Sequence, residues 1–195
     1  MKKWIKYALV FTSAVIIIAG SYVFVKTSYH GNNKILFLNS GKAYTSFNDI
    51  IQRSEFKNKT VYVDIWGTTC PPCFEELKNY TPQLTQHYKN TKDIAFLYIC
   101  IDRHPFSEVR WKDKVQMLKP PGYHVLVEAE EEPKLAKDIL GQAVDGQYFP
   151  YEPFYFIVSK QGHIIGKLSA DPDKGELKPS DKNALYNKLD SLRQL

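Results

Sequence analysis

The stretch VYVDIWGTTCPPC, running from Val61 to Cys73, places two thiols one helical turn apart directly after a run of β-forming residues. A helix start offers unpaired N–H groups and the positive end of the helix dipole, so a sulfur there is stabilised as thiolate. The second sulfur stays within reach for ring closure. Pro71 and Pro72 suit the first helical turn, where a missing N–H costs little and φ is already near its helical value. This is the geometry of dithiol redox chemistry, with Cys70 the expected attacking thiol and Cys73 the expected resolving one.

Other uses of the pair are weaker. A zinc site needs a second ligand pair, and His87, the next histidine after Cys73, has no companion at zinc-finger spacing. Covalent haem attachment requires histidine after the second cysteine, where Phe74 stands. A structural disulfide is the alternative left open. Cys100, between Ile99 and Ile101 in an apolar run, reads as a small buried hydrophobe with no redox task.

At 195 residues the chain is long enough for one well-buried domain and too short for two. Its N-terminus is a separate matter. Lys2, Lys3 and Lys6 precede an uncharged run over 7–25, about 29 Å as a helix at 1.5 Å per residue, which matches a bilayer core. Residues 1–26 therefore read as a membrane anchor, 27–33 as a tether and 34–195 as the folded domain. The leading lysines favour a cytoplasmic N-terminus and an extracytoplasmic domain. A cleavable signal is the alternative, with small residues at Ala19-Gly20-Ser21, but the apolar run continues past them and exceeds the usual signal core.

The first 26 residues hold four lysines and no acids, so the remainder carries 22 basic and 21 acidic side chains against the formal +5 of the whole. That balance argues against a nucleic-acid partner. Three cysteines are too few for a disulfide scaffold.

Along the domain, 34–38 reads as a first strand and 46–56 as a short helix capped by Ser46. A helix is expected over 72–88, kinked by Pro82. Residues 94–101 form a continuous apolar run of β-formers, the mark of a central strand covered on both faces. A helix over 106–118, a strand over 125–127, a helix over 133–140 closed by Gly141, a hairpin of 154–158 with 164–168, and a last helix over 181–192 complete the pattern. The expected architecture is α/β: a central mixed sheet flanked by helices on both faces, with Cys70 at the carboxyl end of a central strand.

On these residues the chain resembles the thioredoxin superfamily, and within it the TlpA/ResA-like membrane-anchored thiol–disulfide oxidoreductases of bacteria. The strand and Cys-x-x-Cys run of 61–73 carries the likeness, together with 153–164, a proline followed by an apolar strand and a glycine turn. The resemblance implies a thioredoxin-like fold and a cis-proline at Pro153 that lends its backbone to a bound partner chain, with Pro150 as rival. It also implies a role for Asp64 in moving the Cys73 proton, and for Glu76 in adjusting the thiols. A carboxylate inside an apolar strand is costly unless its pKa rises or it is paired. For Glu76, a solvated surface position is the competing reading. Trp66 would pack beneath the redox loop.

The chain departs from the family pattern in three places. Thr69 stands where tryptophan commonly precedes the first cysteine. Glu152 precedes Pro153, and a carboxylate near Cys70 would oppose thiolate formation. The approach over 143–151 carries an aromatic cluster, Tyr148-Phe149-Pro150-Tyr151. The resemblance implies protein disulfide or dithiol substrates and reduction of their disulfides. It also calls for a membrane electron donor, because the sequence has no flavin, nicotinamide or metal motif. An oxidase or isomerase, a peroxide reductase and a non-catalytic binding module are the alternatives on the same fold.

Overall fold

The computed structural model describes residues 2–29, 31–32, 34–141, 152–165 and 177–193. A long helix, α1 (Lys2–Thr27), is followed by β1 (Gly31–Asn32), β2 (Ile35–Phe37), α2 (Phe47–Ile51), β3 (Thr60–Gly67) and α3 (Pro71–Glu75). Then come α4 (Thr81–His87), β4 (Ile94–Asp102), α5 (Ser107–Leu118), β5 (Gly122–Glu128), α6 (Glu132–Leu140), β6 (Phe154–Val158), β7 (Ile164–Ile165) and α7 (Lys182–Arg193).

Within α1, Lys6–Val25 has a mean hydropathy of 2.3 and none of its span is buried, so by length and composition it is fit to cross a membrane. Two residues beyond the helix, Tyr29 packs edge-on against Phe37 at 5.5 Å, and Phe37 meets Trp111 of α5 at 4.8 Å. The chain is thus docked on the domain core almost as soon as α1 ends.

The strands form one mixed sheet in the order β1-β2-β5-β4-β3-β6-β7. β2, β5, β4 and β3 run parallel, whereas β6 lies antiparallel to β3, and β1 and β7 pair antiparallel at the edges. The expectation of a mixed sheet holds, and its physical cause is visible in β3 and β4. Both are buried at every position, so each needs a strand on either side and helices above and below.

Alternation sorts their side chains into two cores. Tyr62, Trp66, Tyr98 and Tyr155 face α3, α4, α5 and α7 through Leu77, Leu84, Trp111, Leu185 and Leu189. Val63, Ile65, Leu97, Ile99 and Phe156 face α2 and α6 through Phe47, Ile50, Leu135 and Ile139. Each fully buried aliphatic side chain here contributes about 1.5–3 kcal/mol.

Several boundaries differ from expectation for identifiable reasons. Ser46 does cap α2, its hydroxyl accepting from Asp49 N–H at 3.0 Å, but the helix ends at Ile51. The helix after the cysteines is not simply bent at Pro82. It widens into a π turn over Glu76–Tyr80, and Thr81 N–H bonds back to Glu76 C=O because Pro82 has no N–H to continue the α pattern. α5 begins one residue late, since Phe106 takes a left-handed conformation at φ 60°. β5 starts earlier than expected, at Gly122. Of the strand expected over 164–168, the described part is β7, and the cluster over 148–151 with Pro150 lies outside the described residues.

Gly122 opens β5 at φ 146° and sits where a side chain has no room. A Cβ there would lie 2.6 Å from Phe96 O and 2.7 Å from a Tyr98 ring carbon. Gly122→Ala is expected to cost about 1–3 kcal/mol, seen as a lower urea midpoint at unchanged slope, and an unshifted midpoint would contradict this close approach.

Candidate active site

β3 delivers the chain at its carboxyl end into a three-residue turn, and Cys70 becomes the cap of the helix that follows. Cys70 N–H bonds to Gly67 C=O at 3.3 Å, closing that turn. The Cys70 sulfur accepts from Cys73 N–H at 3.2 Å, the interaction that would hold a thiolate at this position. Pro71 and Pro72 occupy the first helical positions, as expected. Cys70 and Cys73 are joined in a disulfide with Cα atoms 5.3 Å apart. Cys70 keeps 8% of its surface exposed and Cys73 only 1%, so the first sulfur is the one a partner can reach.

Asp64 is 1% exposed and, by strand alternation, lies on the sheet face of Tyr62 and Trp66, whose core also takes in Cys70 and Cys73. Among the described residues neither carboxyl oxygen has a hydrogen-bond partner, and the residue stands in register with Tyr98 of β4 and Tyr155 of β6. Burial, and then the nearby Glu76 carboxylate, push its pKa well above the usual range, so the site favours the protonated form of Asp64. Glu76 itself is buried. It accepts from Ser180 N–H at 2.9 Å and Ser180 O–H at 2.5 Å, which overturns the solvated reading of this residue. Two buried carboxyl groups therefore interact here, one engaged by Ser180 and the other with its pKa raised.

The Glu152–Pro153 peptide bond is cis, and β6 starts directly after it. Because Phe154 pairs with Ile65, this loop stands at the same sheet end as Cys70. Glu152 does not project freely toward the sulfur. Its carboxylate rests over Gly67, where any Cβ would collide with it, and forms an ion pair with Arg103 at 3.2 Å. Burial raises its pKa, an effect that Arg103 opposes.

Arg103 also clasps the fully buried Glu132 through two bonds of 2.7 Å. A second network secures the turn before Cys70. Thr68 O–H donates to Asp102 at 2.7 Å, Arg110 donates to the same Asp102 oxygen at 3.0 Å and to the Thr68 hydroxyl at 3.1 Å, and His104 N–H reaches the other oxygen at 3.0 Å. These residues were not singled out in the sequence. The one local signal was an acid, Asp102, ending an apolar strand. Trp66 and Cys100 are both fully buried, paired in register on β3 and β4, and burial pushes the Cys100 thiol well up. Among the described residues no group of three or more His, Cys, Asp or Glu is arranged to hold a metal ion.

A mixed sheet with a Cys-x-x-Cys helix start at the end of a central strand, and a cis-proline at the same end of the sheet, defines a thioredoxin-like domain. Residues 41–186 match the Redoxin family, and the chain belongs to it. Among curated proteins it is similar to the thiol-disulfide oxidoreductase ResA of Bacillus thuringiensis subsp. konkukian (strain 97-27), with 25% identity over 129 residues. The match covers 65% of this chain and 64% of that relative, so the chain spans just under two thirds of its length. The fold is shared with a thiol-disulfide oxidoreductase from Bacteroides fragilis NCTC 9343, at a TM-score of 0.54 and 19% identity, covering 73% of this chain and 87% of that one. A thiol:disulfide interchange protein from Bacteroides sp. superposes at a TM-score of 0.53 with 22% identity, covering 81% and 84%.

The raised pKa of Asp64 has a thermodynamic consequence. The unfolded chain releases this proton near the ordinary value of 3.8 while the folded chain keeps it, so stability is full below that pH and falls as pH rises toward the folded value. Asp64→Asn is expected to remove this loss, with a gain near zero at pH 4 that grows by up to about 1.4 kcal/mol per pH unit. Urea unfolding of the oxidised protein between pH 4 and 8 reads it, and a pH-independent difference would contradict the assignment.

Proposed function

We propose that this protein is a membrane-tethered thiol–disulfide oxidoreductase that reduces disulfides of proteins on the outer side of a cytoplasmic membrane. The observation that carries the reading is the Cys70–Cys73 pair at a helix start, Cys70 the less buried of the two, on the sheet face that also holds an acid whose pKa burial raises. In this reading residues 1–26 anchor the chain, 27–33 tether it and 34–195 form the working domain. The apolar span Lys6–Val25 supports the anchor, and the three lysines before its end support the orientation.

In the reduced protein the Cys70 thiolate attacks one sulfur of a partner disulfide. The partner's S–S bond breaks, its second sulfur departs as thiolate and takes a proton from water, and a Cys70–partner mixed disulfide forms. Cys73 then gives its proton to the Asp64 carboxylate and attacks Cys70. The mixed disulfide breaks, the partner leaves with both sulfurs reduced, and the Cys70–Cys73 bond closes. Asp64 is now protonated, the state its surroundings favour. When a donor dithiol reopens the pair, Asp64 returns that proton to the departing Cys73 thiolate. Glu76, held by Ser180, sets the field in which Asp64 titrates.

The cis Glu152–Pro153 peptide gives a partner chain a backbone edge beside Cys70. Arg103, by holding Glu152, keeps that edge in place. The protein substrate and a membrane-borne dithiol donor are the partners this chemistry needs.

Cys70→Ser is expected to lower turnover of a disulfide-bonded protein substrate by at least about 10³-fold, since no nucleophile remains at the exposed position. Cys73→Ser should instead trap the Cys70–partner mixed disulfide, visible as a reductant-sensitive adduct on a non-reducing gel. Unchanged turnover in either variant would sink the mechanism.

A further inference from the structure

The folded domain is electrically polarised along its strands. In the segments entering the parallel strands stand Lys34 before β2, Lys57 and Lys59 before β3, Lys89 and Lys92 before β4, and Lys119 before β5. All are exposed or half-exposed, and among the described residues no ion pair to an acid engages any of them. The acids in these segments, Glu55 and Asp93, are instead held by Arg53 at 3.0 Å and Arg193 at 3.2 Å. At the opposite end, beside Cys70, the balance is reversed. Asp102, Glu128, Glu130, Glu131, Glu132 and Glu152 gather where β4 and β5 end and β6 begins, outnumbering Arg103, Arg110, Lys42 and Lys134.

The near-neutral total of the domain thus conceals a basic end and an acidic end, separated by strands of eight and nine residues, roughly 25–30 Å. The basic end also lies within reach of the point where α1 ends. Lys34 follows Thr27 by seven residues, a reach of at most about 25 Å, and Tyr29 is already seated on Phe37. An anionic lipid surface attracts such a lysine face and repels the acidic end.

We propose that the lysine-rich end of the domain docks on anionic lipid headgroups of the bilayer that α1 spans, holding Cys70 away from the membrane toward incoming partners. The proposal rests on the anchor reading of α1. Docking fixes the orientation of the redox site without adding any contact to it.

The test uses the full chain reconstituted in vesicles of phosphatidylcholine alone or with a third phosphatidylglycerol, followed by lysine acylation and mass spectrometry. Acylation of Lys57, Lys89 and Lys92 is expected to fall severalfold in the anionic vesicles at low salt and to recover at high salt. Lysines near the other end, such as Lys42 and Lys134, should be unchanged. The triple variant K57E/K89E/K92E, altered only at exposed positions, should abolish the protection of Lys34 and Lys119 and leave disulfide turnover intact. A footprint that is the same in both lipids while the chain floats with vesicles would overturn the docking face alone. Failure to float with either vesicle would overturn the anchor and the proposal with it.

Discussion

Complete burial of β3 is the constraint on which the remaining architecture depends. A strand with no exposed residue must have its backbone groups taken up by neighbours on both sides and its side chains covered on both faces. β4 and β6 supply the first, and the helices α3, α4 and α7 on one face and α2 and α6 on the other supply the second. Because β3 ends at Gly67 and the next helix begins at Pro71, the covering helix must start immediately above the strand end. That requirement seats Cys70 at a helix N-terminus and brings Cys73 under cover within one turn.

The same burial makes Asp64 chemically useful. A carboxyl group buried in this strand is harder to ionise than one in water, and Glu76 close by opposes its ionisation further. That bias toward the protonated form is what the proposed proton exchange with Cys73 draws on. The loops around the pair are held by ordinary polar chemistry. Thr68, Asp102 and Arg110 brace the turn before Cys70, while Arg103 joins the cis-proline loop to α6 through Glu152 and Glu132. Such fully engaged buried groups cost little and restrict motion, whereas removing one member would strand the others.

Much of this was legible in the sequence because it is written in local patterns. The apolar runs of β3 and β4, the prolines after Cys70 and the Ser46 cap all declare themselves within a few residues. Pro153 was placed by resemblance, and the cis bond is there. What escaped detection depends on residues distant in the chain. Ser180, which holds Glu76, is 104 residues away, and Arg103 meets Glu132 across 29. No periodicity marks such a pair before folding. Pro82 did signal an irregular helix, but a proline states only that the α pattern fails before it, not that the helix widens into a π turn over Glu76–Tyr80. The polarity of the domain escaped for a different reason: net charge sums over both ends, and only the topology shows that lysines gather where strands begin and acids where they end.

The central claim is that this dithiol works as a reductant, with electrons arriving from a donor at the membrane. Its most direct test is the equilibrium reduction potential of the Cys70–Cys73 pair, measured on the full chain in detergent against defined thiol–disulfide buffers. The account predicts a value near or below about −230 mV, toward the thioredoxin end of the known range. A value of about −120 to −180 mV, where dedicated oxidants and isomerases lie, would contradict it and assign the pair to making or reshuffling disulfides.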